Sequence, residues 1–81
     1  MKSTAPIIDR ATVNSSCISS IGYSAAHEVL DVEFRTGVVY RYFAVPQDAF
    51  ATLLAASSLG AEFNRAIKNR FDYKRLIETA E

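Results

Sequence analysis

Ser15, Ser16, Ser19 and Ser20 crowd one short stretch of the chain, and a serine becomes a nucleophile only with a base beside it. The single histidine, His27, sits apart from them and is not placed to activate any of the four. It reads as a solvent-exposed loop residue. No cysteine or carboxylate stands at metal-ligand spacing around it, so a zinc site is not expected. A pair of carboxylates is another catalytic arrangement, and Asp31 and Glu33 share one strand face roughly 7 Å apart. Arg41 faces Asp31 across a hairpin, however, and the expected role is an exposed cross-strand ion pair contributing about 0.2–1 kcal/mol. There is no glycine-rich phosphate loop. The chain therefore reads as non-enzymatic, with no metal and no cofactor.

Binding chemistry is better represented. Between Glu62 and Arg75 the cations are Arg65, Lys68, Arg70, Lys74 and Arg75, against the acids Glu62 and Asp72. Arg65 and Lys68 are three apart and share a helix face. A phosphate backbone can lie along that face, with Arg70 or Lys74 extending it and Arg41 as a further contact. The alternative is a solvated helix exterior whose cations complement the helix dipole. The Tyr40-Arg41-Tyr42 triplet admits two readings as well: tyrosines packed beneath helices, or a platform on which bases stack. A different surface is apolar. Val29, Val39 and Phe43 fall on the opposite sheet face and are a candidate for protein contact or self-association.

The elements that position these residues centre on Leu30 to Pro46. Leu30, Val32 and Phe34 alternate with Asp31, Glu33 and Arg35, and Val38, Tyr40 and Tyr42 alternate with Val39, Arg41 and Phe43. A period of two is that of a strand with one buried face. A two-residue turn would put β-branched Thr36 at positive φ, which is costly. A three-residue loop leaves only Gly37 left-handed, in a G1 bulge. This turn pairs Phe34 with Val38, Val32 with Tyr40 and Leu30 with Tyr42. Tyr40 and Tyr42 then lie on the apolar face, and Asp31 meets Arg41 on the other.

Thr12 to Tyr23 is mostly a first strand. Ile18 is out of phase with Ile21, which indicates a bulge near Ser19-Ser20. Gly22 reads as a point of close approach by an aromatic ring. Pro46 suits the first position of a helix, with Asp48 in the first turn and Phe50, Leu53 and Leu54 as its buried stripe. Ser58 caps a second helix, in which Phe63, Ala66, Ile67 and Phe71 face inward. Gly60, in the first turn, has a packing reading, against the first helix or the sheet, and a phosphate-binding one. The order is β-β-β-α-α, an α+β fold: a three-stranded antiparallel meander followed by two helices packed on one face. Residues 1–11 read as a flexible tail, although Ile7 and Ile8 are apolar enough to pack back. Residues 12–75 form a single domain, and 76–81 a fraying end.

With 81 residues, net charge zero and 49% hydrophobic residues, the chain is one small domain. It buries about 60–65% of its unfolded surface, enough for one core and a surface site. The lone cysteine, Cys17, allows no internal disulfide and suits a reducing cytoplasm; it reads as a small packed or edge residue. No signal peptide or membrane span is visible.

Phe34, Gly37, Tyr40, Tyr42, Val45 and Pro46, preceded by Ser15-Ser16, Ile18 and Ile21-Gly22-Tyr23, form an ordered pattern. It continues through Phe50, Leu53, Ala56, Ser58, Gly60, Phe63, Asn64 and Ile67. Over roughly Val13 to Tyr73 this resembles the KTSC domain, a small domain at the C-terminus of some lysyl-tRNA synthetases that also occurs as stand-alone bacterial proteins. The resemblance implies no established activity. Through the synthetase association it implies RNA binding.

Overall fold

The computed structural model describes residues 8–76. The strands are β1 (Ala11–Thr12), β2 (Ile18–Ser24), β3 (Val29–Phe34), β4 (Val39–Tyr42) and β5 (Tyr73–Leu76); helices α1 (Gln47–Ala55) and α2 (Leu59–Ala66) separate β4 from β5. All neighbours in the sheet are antiparallel and follow chain order, β1-β2-β3-β4-β5. The α+β class stands, but the described residues hold five strands where the sequence predicts three. Both additional strands are short and at the edges. β5, with the sequence YKRL, carries no apolar alternation, so only its pairing with β4 reveals it.

The hairpin has the predicted register. Val38 O accepts from Phe34 N at 2.9 Å, Phe34 O accepts from Gly37 N at 2.8 Å, and Gly37 has φ +95°. Leu30 pairs with Tyr42, Asp31 with Arg41 and Val32 with Tyr40. In β2 the register shifts between Ile18 and Ser20, which puts Ile18 and Ile21 on the same face. That face meets the helices. Ile18, Ile21, Leu30, Val32 and Tyr42 pack with Val45, Leu53, Phe63 and Ile67 into one buried core.

Pro46 is the N-cap of α1 rather than its first helical residue; its carbonyl accepts from Ala49 N and Phe50 N. Leu53 is buried, but Leu54, expected beside it, is 54% exposed, because a nine-residue helix buries only one narrow stripe here. Ser58 caps α2 as predicted, its Oγ accepting from Ala61 N at 3.3 Å. Tyr23 ties β2 to the start of the helical layer: its hydroxyl donates to Val45 O at 2.6 Å and its ring stacks on Phe50 at 4.6 Å.

The outer sheet face is less bare than the sequence implies. Ile8 and Asp9 cross it over β2. A Cβ on Gly22 would stand 2.3 Å from Asp9 O and 2.8 Å from Ile8 Cγ2, so Gly22 accommodates backbone rather than an aromatic ring. Ile8 does pack back; Ile7 lies outside the described residues. Arg10 Nε donates to Ser20 Oγ, which donates to Glu33 Oε1 at 2.8 Å. Beside this chain of contacts, Arg41 Nε and Nη2 donate to Asp31 Oδ1 and Oδ2 at 2.8 and 2.9 Å.

That pair was expected to be exposed, yet Asp31 is 1% and Arg41 7% accessible. The hydrogen bond it donates to Asp31 holds the Arg41 guanidinium pKa above its ordinary value against the opposing effect of burial. Removing one partner of a buried pair strands the other, at a cost of about 3–5 kcal/mol, while replacing both is far milder. Urea unfolding of Asp31→Leu is therefore expected to show a loss of about 3–5 kcal/mol. The double variant Asp31→Leu/Arg41→Met is expected to be more stable than Asp31→Leu alone. Additive losses in that cycle would contradict the coupling.

Candidate functional site

One groove gathers most of the chemistry. It opens between the turn after β3, the inner faces of β4 and β5, and the C-terminal half of α2, and it holds about 580 Å³. Its walls are aromatic. Phe34 meets Tyr40 and Phe63 edge-on at 5.8 and 5.5 Å, and Tyr42 meets Phe63 edge-on at 5.5 Å. Tyr73, on β5, meets Tyr40 edge-on at 5.3 Å and tilts against Tyr42 at 5.6 Å. Tyr42 is buried, Tyr40 half-buried and Tyr73 58% exposed. Tyr40 and Tyr42 thus lie on the core face of the sheet as the turn predicts, Tyr42 buried and Tyr40 reaching the groove.

The rim carries charge of one sign. Arg35 and Lys68 line it, with Asn64 and Asn69, and no Asp or Glu does. Arg35 is anchored through Nε and Nη2 to Ser15 O at 3.0 and 2.8 Å, a contact that fixes the side chain without neutralising it. Among the described residues neither Arg35 nor Lys68 forms an ion pair.

The expected basic face of α2 is divided. Lys68 reaches the groove. Arg65 pairs with Glu62 one turn back, and the hydrogen bond it donates to that carboxylate holds the arginine pKa above its ordinary value. Arg70 Nε donates to Arg65 O at 2.9 Å, satisfying a carbonyl near the helix end. Lys74 does not extend the face. It stands opposite Arg41 in the β4–β5 register, hence on the outer side of the sheet. Arg41 does not contribute either, since it is buried against Asp31.

The expected apolar contact surface also changes. Val29 and Val39 are 4% and 1% accessible, leaving Phe43, at 37%, as the exposed member of the three. The edge strand accounts for part of this: Leu76 stands beside Val39.

Gly37 occupies its bulge and Pro46 its cap, while Phe34, Phe63 and Asn64 contribute to the groove. Ser58 and Gly60 border a second, polar hollow of about 470 Å³ that shares Ser16, Cys17 and Asn64 with the first. A Cβ on Gly60 would stand 2.9 Å from Cys17 Sγ, so Gly60 packs on the loop before β2 rather than on α1 or the sheet. Cys17 itself is exposed in that loop, not packed in a strand.

His27 Nδ1 lies 3.0 Å from Ser24 Oγ, but the two belong to one exposed turn, closed by His27 N donating to Ser24 O, and neither lines these hollows. Among the described residues, no group of three His, Cys, Asp or Glu could hold a metal, and no helix is long and apolar enough to cross a membrane.

Sequence reasoning missed Arg35, Asn69 and Tyr73 as groove residues. Arg35 had a usable signal, because the three-residue turn puts it at an exposed corner directly after Phe34. Asn69 has φ +66°, the left-handed position that reverses the chain after α2. Tyr73 depends on a strand that the pattern did not show.

Fold and groove together define a small α+β domain with an aromatic, cation-rimmed trough. The KTSC domain family model matches residues 14–71, and the chain belongs to that family. An uncharacterised protein of Stutzerimonas stutzeri is 44% identical over 59 residues, 73% of this chain and 83% of its own length. The crystal structure of a KTSC domain protein from Yersinia pestis superposes with a TM-score of 0.84 at 34% identity, covering 88% of this chain and all of the other. A lysine–tRNA ligase of Nostoc punctiforme is 38% identical over 61 residues, 75% of this chain but 11% of the ligase. The match thus spans one small part of that enzyme.

Burial, reinforced by the neighbouring phenols of Tyr73 and Tyr40, pushes the Tyr42 phenol up to about 12. An unfolded tyrosine ionises near ~10. The folded value is the higher one, so its stabilising effect is complete below pH ~10 and is lost as pH rises toward ~12. Tyr23, raised by burial and then by Glu28, acts in the same direction. In an alkaline absorbance titration one tyrosine should ionise last, and Tyr42→Phe should delete that step. The same variant should flatten the fall in unfolding free energy between pH 10 and 12. An unchanged titration curve in Tyr42→Phe would refute the assignment.

Proposed function

We propose that this chain is a small, non-enzymatic module that binds nucleic acid, RNA in particular. The observation that carries the reading is the pairing of an aromatic groove with Arg35 and Lys68 on its rim and no carboxylate among its lining residues. Aromatic rings offer faces to bases and cations offer charge to phosphates. Arg65 and Arg70 add positive charge near Lys68, Arg65 in part balanced by Glu62. The net charge of zero does not oppose this, because binding responds to local rather than total charge. Relatives named lysine–tRNA ligase carry the matching region, and that is a nucleic-acid context. A cytoplasmic location goes with the same reading and with the unpaired Cys17.

The test is a fluorescence-polarisation titration of the intact chain with a labelled single-stranded RNA at low and high salt. Affinity is expected to fall as salt rises, with a log–log slope of about −0.7 for each phosphate neutralised. The double variant Arg65→Glu/Lys68→Glu is expected to bind at least about tenfold more weakly at low salt. Absent or salt-insensitive binding would defeat this reading and favour a protein partner.

A further inference from the structure

We infer that the groove is a stacking site for one unpaired base, with Tyr73 as the platform and Lys68 and Arg35 receiving the flanking phosphates. The inference rests on the nucleic-acid reading above and narrows its ligand to a single strand. Three observations converge on it. Tyr73, at 58%, is the one exposed ring among the aromatic residues that line the groove. Tyr40 meets it edge-on and Tyr42 tilts against it, so two rings brace Tyr73 while more than half of it stays open to solvent. A flat ring fixed in this way can receive another ring without first being ordered.

The volume gives the second argument. About 580 Å³ lies within the ~300–1,000 Å³ range of clefts that take small molecules, which suits a nucleotide and not a duplex. In a duplex, moreover, the base faces are already stacked and cannot be offered to a ring. Charge gives the third. Arg35, on the turn after β3, and Lys68, past the end of α2, come from different elements that both border the groove. A strand that lays a base on Tyr73 can therefore put its backbone against these rim cations. Asn64 and Asn69 line the same groove, and their amides can hydrogen-bond the edge of the stacked base.

The experiment titrates the intact chain with a labelled ten-nucleotide RNA, then with the same RNA annealed to its complement, following polarisation and tyrosine fluorescence. The single strand is expected to bind at least about tenfold more tightly than the duplex at equal salt, and to quench tyrosine emission. Tyr73→Leu keeps an apolar side chain but removes the flat ring. It should weaken single-strand binding between about fivefold and a hundredfold while leaving the salt slope unchanged. Tyr73→Phe should bind like the parent chain. Lys68→Glu should weaken binding and reduce the slope by about 0.7. Circular dichroism melts of each variant establish that the fold is retained.

Equal affinity of Tyr73→Leu and the parent chain, or equal affinity for duplex and single strand, would overturn the stacking site and leave the nucleic-acid reading standing. Failure of the parent chain to bind either form would overturn both.

Discussion

Which face of the sheet each β4 side chain takes follows from one backbone constraint, the left-handed residue at Gly37. With φ +95° there, the β3–β4 loop takes three residues, and Phe34 pairs with Val38 through the hydrogen bond from Phe34 N. The side-chain period in a strand is two, so a loop one residue shorter would carry all of β4 to the other face. Tyr40 and Tyr42 would then point away from the helices and Arg41 toward them. The bulge in β2 has the matching effect on the other side of β3. The residue inserted between Ile18 and Ser20 lets both Ile18 and Ile21 reach the core. Two local irregularities thus align the apolar faces of three strands.

The Asp31–Arg41 pair reinforces this choice from the opposite face. Buried ion pairs contribute little net stability, because the desolvation of two charges offsets their attraction. Their effect on alternatives is larger. In a slipped register Arg41 would enter a core made of Leu30, Val32, Leu53 and Phe63 without its carboxylate. An isolated charge there is strongly unfavourable. The pair therefore penalises the wrong register more than it stabilises the right one. Its burial also explains why the outer face tolerates the crossing of Ile8 and Asp9, since its charges are already satisfied by each other and the missing side chain of Gly22 leaves room for backbone.

The hairpin was legible in the sequence because everything that defines it is local: two alternating runs, a β-branched Thr36 that rejects positive φ, and Gly37 that accepts it. The Ser58 cap and the Phe63–Ile67 stripe were legible for the same reason. The burial of Val29, Val39, Asp31 and Arg41 was not. It depends on segments distant in the chain, and those segments, Ile8 to Thr12 and Tyr73 to Leu76, have no periodicity of their own. Lys74 shows the consequence. Read as an extension of a helical face, it belongs instead to a strand, and the alternation of β5 turns it to the outer side of the sheet. Arg65 and Lys68 were expected to share a helix face, but α2 ends at Ala66 and Lys68 lies past its end. That Glu62 would pair with Arg65 and leave Lys68 to the groove was a matter of side-chain geometry, not of spacing.

The groove itself is a product of unequal lengths. α2 is eight residues long, and Asn69, at φ +66°, reverses the chain soon after it ends. The returning segment then joins the sheet beside β4 as β5. The helical layer stops short of the sheet's final edge, so the inner face of β4–β5 keeps an aromatic strip that no helix covers. A longer α2 would bury Tyr40 and Tyr73 and close the trough; a chain ending before β5 would remove one of its walls. β5 adds little to the core, since Tyr73, Lys74 and Arg75 are all exposed. On the inner face it sets Tyr73 against Tyr40 and Tyr42. The same strand thus acts on both faces of the sheet, covering Val39 with Leu76 on the outer one and completing the groove with Tyr73 on the inner one.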